Sequence, residues 1–365
     1  MMKKRRTSFL FLFALVVLSG CGKSGMAEEK SFPRNGEQIS RELGEGVTLD
    51  AVAEVPEDWD GKVEICRVKN VFFHGRTLAG RLYPEISEDA WEDGGFADLG
   101  DEEGVMYRGD IWIEKGQEPQ PGLINLTGGL NISTDKAERK RQLFEHNVMG
   151  EMAKVVRREF TFSTTEEAEK KAERYWTETI GMEGARPFRV YSVSHEELLA
   201  EQERQEKEEQ AGYTPGYDFT EADDCYDIRM EQVVNGLPLT ANYSHNVRKD
   251  GIYVPSGEIV VVCTRDGIEY VSCAGNYEIL EKDVKEAVPM DEVYETLERK
   301  FRMLMYGTVE VNEMRLVYYP FPLSTENINW EYEFVPAWCF SFQPGETGIT
   351  KNIYVNAVTG EEIVE

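Results

Sequence analysis

The 365-residue sequence contains only four histidines, and the short motifs of common enzyme families are missing from it. His195 begins a His-Glu-Glu-Leu-Leu segment, which lacks the second histidine of the zinc-protease pattern. Neither the Gly-x-Ser-x-Gly elbow of many hydrolases nor the Gly-x-x-x-x-Gly-Lys-Ser/Thr phosphate loop is present. The sequence therefore predicts a protein that is not an enzyme and that binds no cofactor or metal ion.

Basic residues are also few. The chain has 40 Lys and Arg against 68 Asp and Glu, so its formal net charge is −28. Nucleic acids and anionic lipid surfaces would repel such a chain, and nucleic-acid binding is therefore excluded. A hydrophobic content of 41% and an aromatic content of 11% nevertheless predict a folded body.

The apolar run Phe9–Leu18 is too short for a permanent bilayer span, which takes about 20 residues. Basic residues 3–6 precede it and small residues follow it, which predicts a secretory signal peptide over residues 1–20. The stretch Leu18-Ser19-Gly20-Cys21 resembles the lipobox of bacterial lipoproteins. That resemblance implies that Cys21 becomes the first residue of the mature chain and carries a lipid of the palmitate type. The lipid would attach the protein to the extracytoplasmic face of the cell membrane.

After Cys21, the residues 22–35 are small, polar and charged, without hydrophobic periodicity. We expect residues 21–45 to be a tether. Residues 46–130 are expected to form a small β-rich region, because Val47, Leu49, Ala51 and Ala53 alternate with polar residues.

Two later stretches each predict one amphipathic helix followed by antiparallel strands. In the first, Ser163 with Glu166, and Thr164 with Glu167, have capping-box spacing. The apolar residues of this helix recur at helical spacing up to a stop at Gly181: Ala168, Ala172, Tyr175, Trp176 and Ile180. Strands joined by Asn235-Gly236 and Asp266-Gly267 turns follow.

The second stretch repeats this order. Val293, Leu297 and Phe301 mark a helix that stops before Gly307, and strands up to a Thr359-Gly360 turn follow it. The predicted fold class is α+β: tandem units of one helix packed on a curved antiparallel sheet, at 131–285 and 286–365, after the smaller β-rich region.

Five cysteines remain besides Cys21: Cys66, Cys225, Cys263, Cys273 and Cys339. In the predicted hairpin, Cys263 faces Tyr270 or, with a bulge, Glu269, which leaves Cys273 too distant for a disulfide bond. We expect all five to be buried thiols.

Two charged clusters have alternative interpretations. Arg139, Lys140 and Arg141 lie on a predicted helix from residue 133 or 134 to about 158, and we expect them on a solvated face rather than in a docking site. Asp223, Asp224 and Asp227 could lie near a calcium ion, but they lack the ligand spacing of a calcium loop.

Motifs near the C-terminus resemble a known family. The segments 335–340 (VPAWCF) and 353–363 (IYVNAVTGEEI) resemble the closing strands of PepSY-like domains. Segment 232–239 (QVVNGLPL) is similar to a strand and turn of the same group and of the extracytoplasmic YycH and YycI regulators. The resemblance implies a PepSY-like unit at 286–365 and a role in peptidase inhibition or envelope signalling.

Three functions are compatible with these observations. We expect a membrane-anchored, non-catalytic interaction or envelope-sensing lipoprotein with a protein partner at the cell envelope. An envelope hydrolase is an alternative and would need His195, His245 or Cys225 to meet in a polar cleft. A solute-binding lipoprotein is the third, although its usual design requires strand–helix–strand crossovers that the predicted hairpins do not provide.

Overall fold

The computed structural model describes residues 32–71, 78, 81–82, 91–93, 97–98, 107–108, 110–113, 123–125, 130–133, 135–148, 158–207, 216–240, 256–304, 307–323, 331–344 and 350–364. Over these residues the fold is mixed α+β with two large sheets, as the sequence predicts. None of the helices in the described ranges has the length and apolar content needed to cross a membrane.

The first sheet has the strand order β1-β2-β16-β17-β18-β19, and β17 also pairs with β3, which pairs with β15. All its pairs are antiparallel except β2 with β16, which are parallel. Its strands are β1 (Gln38–Gly44), β2 (Val47–Glu54), β3 (Lys62–Asn70), β15 (Tyr277–Glu286), β16 (Val309–Pro322), β17 (Glu331–Phe342), β18 (Lys351–Asn356) and β19 (Glu362–Ile363).

The second sheet is antiparallel, with the order β10-β11-β13-β14-β9-β8-β7-β4. A short strand, β12 (Leu237–Pro238), extends it beside β11, and β5 (Ala97–Asp98) pairs separately with β6 (Tyr107–Arg108). The main strands are β4 (Trp91–Asp93), β7 (Asp110–Ile113), β8 (Leu123–Asn125), β9 (Leu130–Ser133), β10 (Ala185–Val193), β11 (Cys225–Val234), β13 (Glu258–Thr264) and β14 (Ile268–Cys273).

Four α-helices in the described ranges pack on these sheets: α1 (Asp135–Val148), α2 (Thr165–Arg174), α3 (His195–Lys207) and α4 (Met290–Met303). The predicted capping box of α2 is confirmed for Thr164 and Glu167. A π-helical turn, Tyr175–Ile180, continues α2 up to Gly181, whose left-handed conformation ends the helix as predicted.

Helix α4 covers one face of the first sheet. Its buried residues Val293, Leu297 and Phe301 share an apolar cluster with Trp338 and Phe340, both of which are fully buried. The second sheet is covered on both faces. Helix α2 packs on one face, and α1 and α3 pack on the other. Because successive strand residues point to opposite faces, nearly all of β11 is buried.

The strand arrangement after α2 matches the arrangement after α4. Each helix is followed by four antiparallel strands paired in chain order, β10-β11-β13-β14 and β16-β17-β18-β19. The first strand of each set has a register shift at its fourth residue, between Pro187 and Arg189 in β10 and between Val311 and Glu313 in β16.

The structure differs from the expected separate β-rich region at 46–130. Strands β2 and β3 join the first sheet, whereas β4, β7, β8 and β9 join the second. Strand β15, placed by the sequence in the unit at 131–285, also pairs in the first sheet. An alternating pattern shows which face of a strand is buried but not which strand is its partner. The expected tether at 21–45 overlaps the first sheet, because β1 already begins at Gln38.

The segment 235–240, which follows β11 and which we call the tongue, joins the two sheets. Asn235 and Gly236 both have positive φ, as a tight hairpin turn requires. Beyond the turn, Leu237 and Leu239 insert into the core of the first sheet. The amide of Thr240 then donates to the carbonyl of Tyr318 in β16, at 2.9 Å. Gly257 lies against this tongue, where a Cβ atom would be 2.3 Å from the Leu239 carbonyl oxygen.

Replacing Gly257 with alanine should therefore force the tongue away from the second sheet. Overpacking of this kind costs about 1–3 kcal/mol, and we expect Gly257→Ala to lower the thermal unfolding midpoint by several degrees. Gly307→Ala is the matched control, because a Cβ there meets no atom within 4 Å. Equal midpoints for the two variants would show that the close approach at Gly257 does not constrain the fold.

Candidate functional site on the second sheet

The charged residues that the sequence offers for chemistry meet on the α1 side of the second sheet. The Lys140 side chain is only 2% exposed, and its Nζ lies 2.9 Å from Glu269 Oε2 and 3.3 Å from Asp223 Oδ1. Lys136, one helical turn earlier, also pairs with Asp223, at 2.6 Å. Residues four apart on a helix share a face, so both lysines point to the same carboxylate.

The prediction of a solvated basic face on α1 is therefore wrong. Arg139 is 8% exposed, and Lys140 is buried. Arg141 pairs with Glu138, and its guanidinium lies 5.4 Å from the centre of the Tyr270 ring. The sequence shows three adjacent cations, but Asp223 and Glu269, the carboxylates that pair with Lys140, are distant along the chain.

The pKa shifts of Asp223 and Lys140 favour the charged form of each group. Burial raises the pKa of Asp223, but Lys136, the Thr220 amide and Lys140 outweigh it and hold that pKa below its usual value. Burial likewise lowers the pKa of Lys140, but Cys225 and the carboxylates of Glu269 and Asp223 raise it overall. Both groups therefore stay ionised at neutral pH, which suits a structural ion pair better than proton transfer.

His195 lies at the start of α3, next to this cluster. Its Nδ1 is 2.7 Å from Asp224 Oδ1, and its backbone amide donates to the same oxygen at 2.8 Å. The hydrogen bond to Asp224 raises the pKa of the His195 side chain, against the opposing effect of burial. A histidine oriented by a carboxylate could act as a base, but it would need a nucleophile within reach.

Cys225 is next to Asp224 in sequence but does not provide that nucleophile. Its side chain is buried, and burial raises the pKa of its thiol far above the usual value. Thiols react as thiolates, so a raised pKa makes Cys225 unreactive. Of the other two candidates for a catalytic group, His195 is placed as described above, and His245 lies outside the described residues.

The prediction of buried thiols is confirmed for all five cysteines in the described ranges, which are free and buried. Burial raises the pKa of each thiol, to about 12 for Cys273 and Cys339. Cys263 pairs with Ile268 rather than with Tyr270 or Glu269, because a bulge shifts the hairpin register. Cys21 lies outside the described residues.

The three aspartates considered for calcium each bind a different cationic or polar partner. Asp223 binds the two lysines of α1, Asp224 binds His195, and Asp227 binds Arg229. Among the residues that the structure describes, no group of three or more His, Cys, Asp or Glu could hold a metal ion.

A second charged cluster, which the sequence did not predict, joins the two sheets. Glu231 of β11 accepts hydrogen bonds from Arg186 of β10, at 2.7 Å, and from Arg315 of β16, at 2.5 Å. Arg315 also donates to Glu54, at the end of β2, at 2.7 Å. The alternation of two acids and two arginines across four strands has no local sequence signal, since the residues are up to 261 positions apart.

We expect Lys140→Met to destabilise the protein by about 3 kcal/mol, since it removes the lysine partner of Glu269 and leaves Asp223 paired with Lys136 alone among the two lysines of α1. Denaturant unfolding at pH 7 measures this loss. The exposed Lys170, which pairs with Glu166, provides the control: Lys170→Met should cost less than about 1 kcal/mol.

The cost of Lys140→Met should also depend on pH. Asp223 has a lowered pKa, so its contribution to stability is present above its ordinary value of 3.8 and is lost as the pH falls further. The difference in the free energy of unfolding between the wild type and Lys140→Met should therefore become smaller in acid. A difference that is constant from pH 7 to pH 3 would contradict the assigned ion pair.

Comparisons with known proteins show the fold but no family. No known family description matches the chain, and no functionally curated protein matches it. Among solved structures, an uncharacterised protein from Eubacterium rectale is similar over 90% of this chain and 93% of its own, with a TM-score of 0.62 and 16% identity. The C-terminal domain of YpeB from Bacillus megaterium is a distant neighbour, with a TM-score of 0.34 and 10% identity over 80% of this chain and 96% of its own.

Proposed function

We propose that this protein is an extracytoplasmic lipoprotein, anchored through Cys21, that acts as a non-catalytic interaction or envelope-sensing module. The observation that carries this proposal is that the candidate functional side chains are held in ion pairs, in a hydrogen bond or in the apolar core. Lys140 and Asp223 are locked in a buried ion pair, and Cys225 is a buried thiol with a raised pKa. His195 hydrogen bonds to Asp224, and the buried Cys225 does not supply an activated nucleophile for it.

We further propose that the body consists of two tandem units of related architecture. The support is the helix followed by a four-strand meander, found twice, with the register shift at the fourth residue of the first strand in both. Tyr226 and Trp338 occupy matching positions, since each is buried under the helix of its unit and pairs with the third strand, at Cys263 and Val355 respectively. Repeated units of this size provide binding surface without a catalytic centre.

The resemblance to PepSY-like domains agrees with this division. The resembling segments 335–340 and 353–363 lie in β17, β18 and β19, which close the second unit. Such domains are associated with peptidase inhibition or envelope signalling, and we propose a regulatory role of that general kind, with a protein partner at the membrane.

Cys21→Ala should release the protein from the membrane, because no other segment is proposed to hold it there. Fractionation of cells into membrane and soluble pools measures the effect, and most of the variant should appear in the soluble pool. Ser24→Ala, three residues later, should remain in the membrane pool. Retention of Cys21→Ala on salt-washed membranes would exclude the lipid anchor.

A partner protein should be recovered with the anchored wild-type chain after crosslinking on intact cells and mild detergent extraction. The control is residues 1–31 fused to an unrelated folded domain, which shares the anchor but not the two sheets. Reproducible enrichment of the same protein over this control is the expected result. Equal recovery from both would contradict an interaction function, and hydrolysis of an envelope substrate by the purified body would favour the enzyme alternative.

A further inference from the structure

An aromatic cluster fixes the N-terminal end of the described chain to the first sheet. The Phe32 ring lies 4.9 Å from the Trp59 ring, and Trp59 contacts the fully buried Trp338 edge-on at 5.5 Å. Phe32 also packs over Gly61, where a Cβ atom would be 2.1 Å from Phe32 Cε2. Glycine is therefore needed at position 61 for two reasons. A side chain there would overlap the Phe32 ring, and the φ of 84° is a backbone conformation that other residues rarely adopt. We call Phe32, Trp59 and Gly61 the aromatic clasp.

Hydrogen bonds secure the residues that follow Phe32. The amide of Gly36 donates to the Ala53 carbonyl at 2.9 Å, and the amide of Ala53 donates to the Glu37 carbonyl at 2.8 Å. The Asn35 side chain accepts from the amide of Val55. The chain is therefore fixed against the first sheet from Phe32 onward, so the proposed tether ends at Ser31.

This limits how far the body can lie from a lipid on Cys21. The inference rests on the proposed anchor. Ten residues, 22–31, separate Cys21 from the clasp. Because each residue spans at most about 3.3–3.6 Å, Phe32 lies within about 40 Å of the lipidated residue even if the segment is fully extended.

We infer that the clasp end of the first sheet lies nearer to the bilayer, on average, than the turn between β1 and β2 does. The clasp adjoins the C-terminal end of β2, whereas Glu45 is in the turn before its first residue. The eight residues of β2 separate the two ends by about 23 Å at 3.3 Å per residue. The clasp is the point through which the proposed anchor holds the body, so the clasp end cannot move as far from the lipid surface as the turn can.

Asp58→Cys and Glu45→Cys test this orientation. Both positions are exposed turn residues, and both changes remove one negative charge. A thiol-reactive fluorophore should label the introduced cysteines selectively, because Cys66, Cys225, Cys263, Cys273 and Cys339 are buried. Each labelled lipoprotein is reconstituted on zwitterionic vesicles that carry acceptor-labelled lipid, and energy transfer is measured.

We expect the transfer efficiency from position 58 to be at least twofold higher than from position 45. Inserting 20 Gly and Ser residues after Gly25 should lower transfer from both sites and remove most of the difference. Phe32→Ala should also make the difference between the two sites smaller, since it frees the chain as far as the hydrogen bonds of Asn35 and Gly36.

Equal transfer from both sites without the insertion, or higher transfer from position 45, would overturn the inferred orientation. Failure of the labelled protein to cosediment with the vesicles would instead refute the anchor itself. The two failures are therefore distinguishable in one experiment. Unchanged thermal midpoints of the labelled variants exclude local unfolding as the cause.

Discussion

A short tongue of chain, residues 235–240, connects the two sheets. After a left-handed Asn235-Gly236 turn, Leu237 and Leu239 leave the second sheet and complete the core of the first. Burying two leucines contributes about 3–6 kcal/mol, and the hydrogen bond from Thr240 to Tyr318 fixes their position. Glu231, Arg186, Arg315 and Glu54 then bridge the sheets beside the tongue. The two units are therefore joined by apolar burial and by charge.

The strong acidity of the chain has a counterpart in the placement of its cations. Lys140 and Arg229 are buried against carboxylates, and Arg315 pairs with Glu231 and Glu54. These few basic side chains lie inside the protein, where an unpaired carboxylate would be most costly. The net negative charge of the chain limits attraction to anionic lipid, so a stable position at a membrane would depend on the proposed lipid at Cys21.

Local features were predictable from the sequence because they depend on neighbouring residues. The Thr164–Glu167 capping box, the Gly181 stop and the strand that carries Trp338 and Phe340 are all present. Long-range partners were not predictable. Nothing in the alternation of β2 indicates that it pairs with β16, and nothing near Lys140 indicates Asp223 or Glu269. The lipobox-like signal before Cys21 is also local, but Cys21 lies outside the described residues.

The parallel pairing of β2 with β16 also affects how the chain can fold during synthesis. Val47 pairs with Val309, and Glu54 pairs with Arg315. A chain that emerges from the ribosome N-terminus first exposes β2 long before its partner strand is available. Contacts between distant residues form slowly because a long loop must close. The first sheet can therefore be completed only after almost the whole chain has emerged, and β2 needs protection from other strands until then.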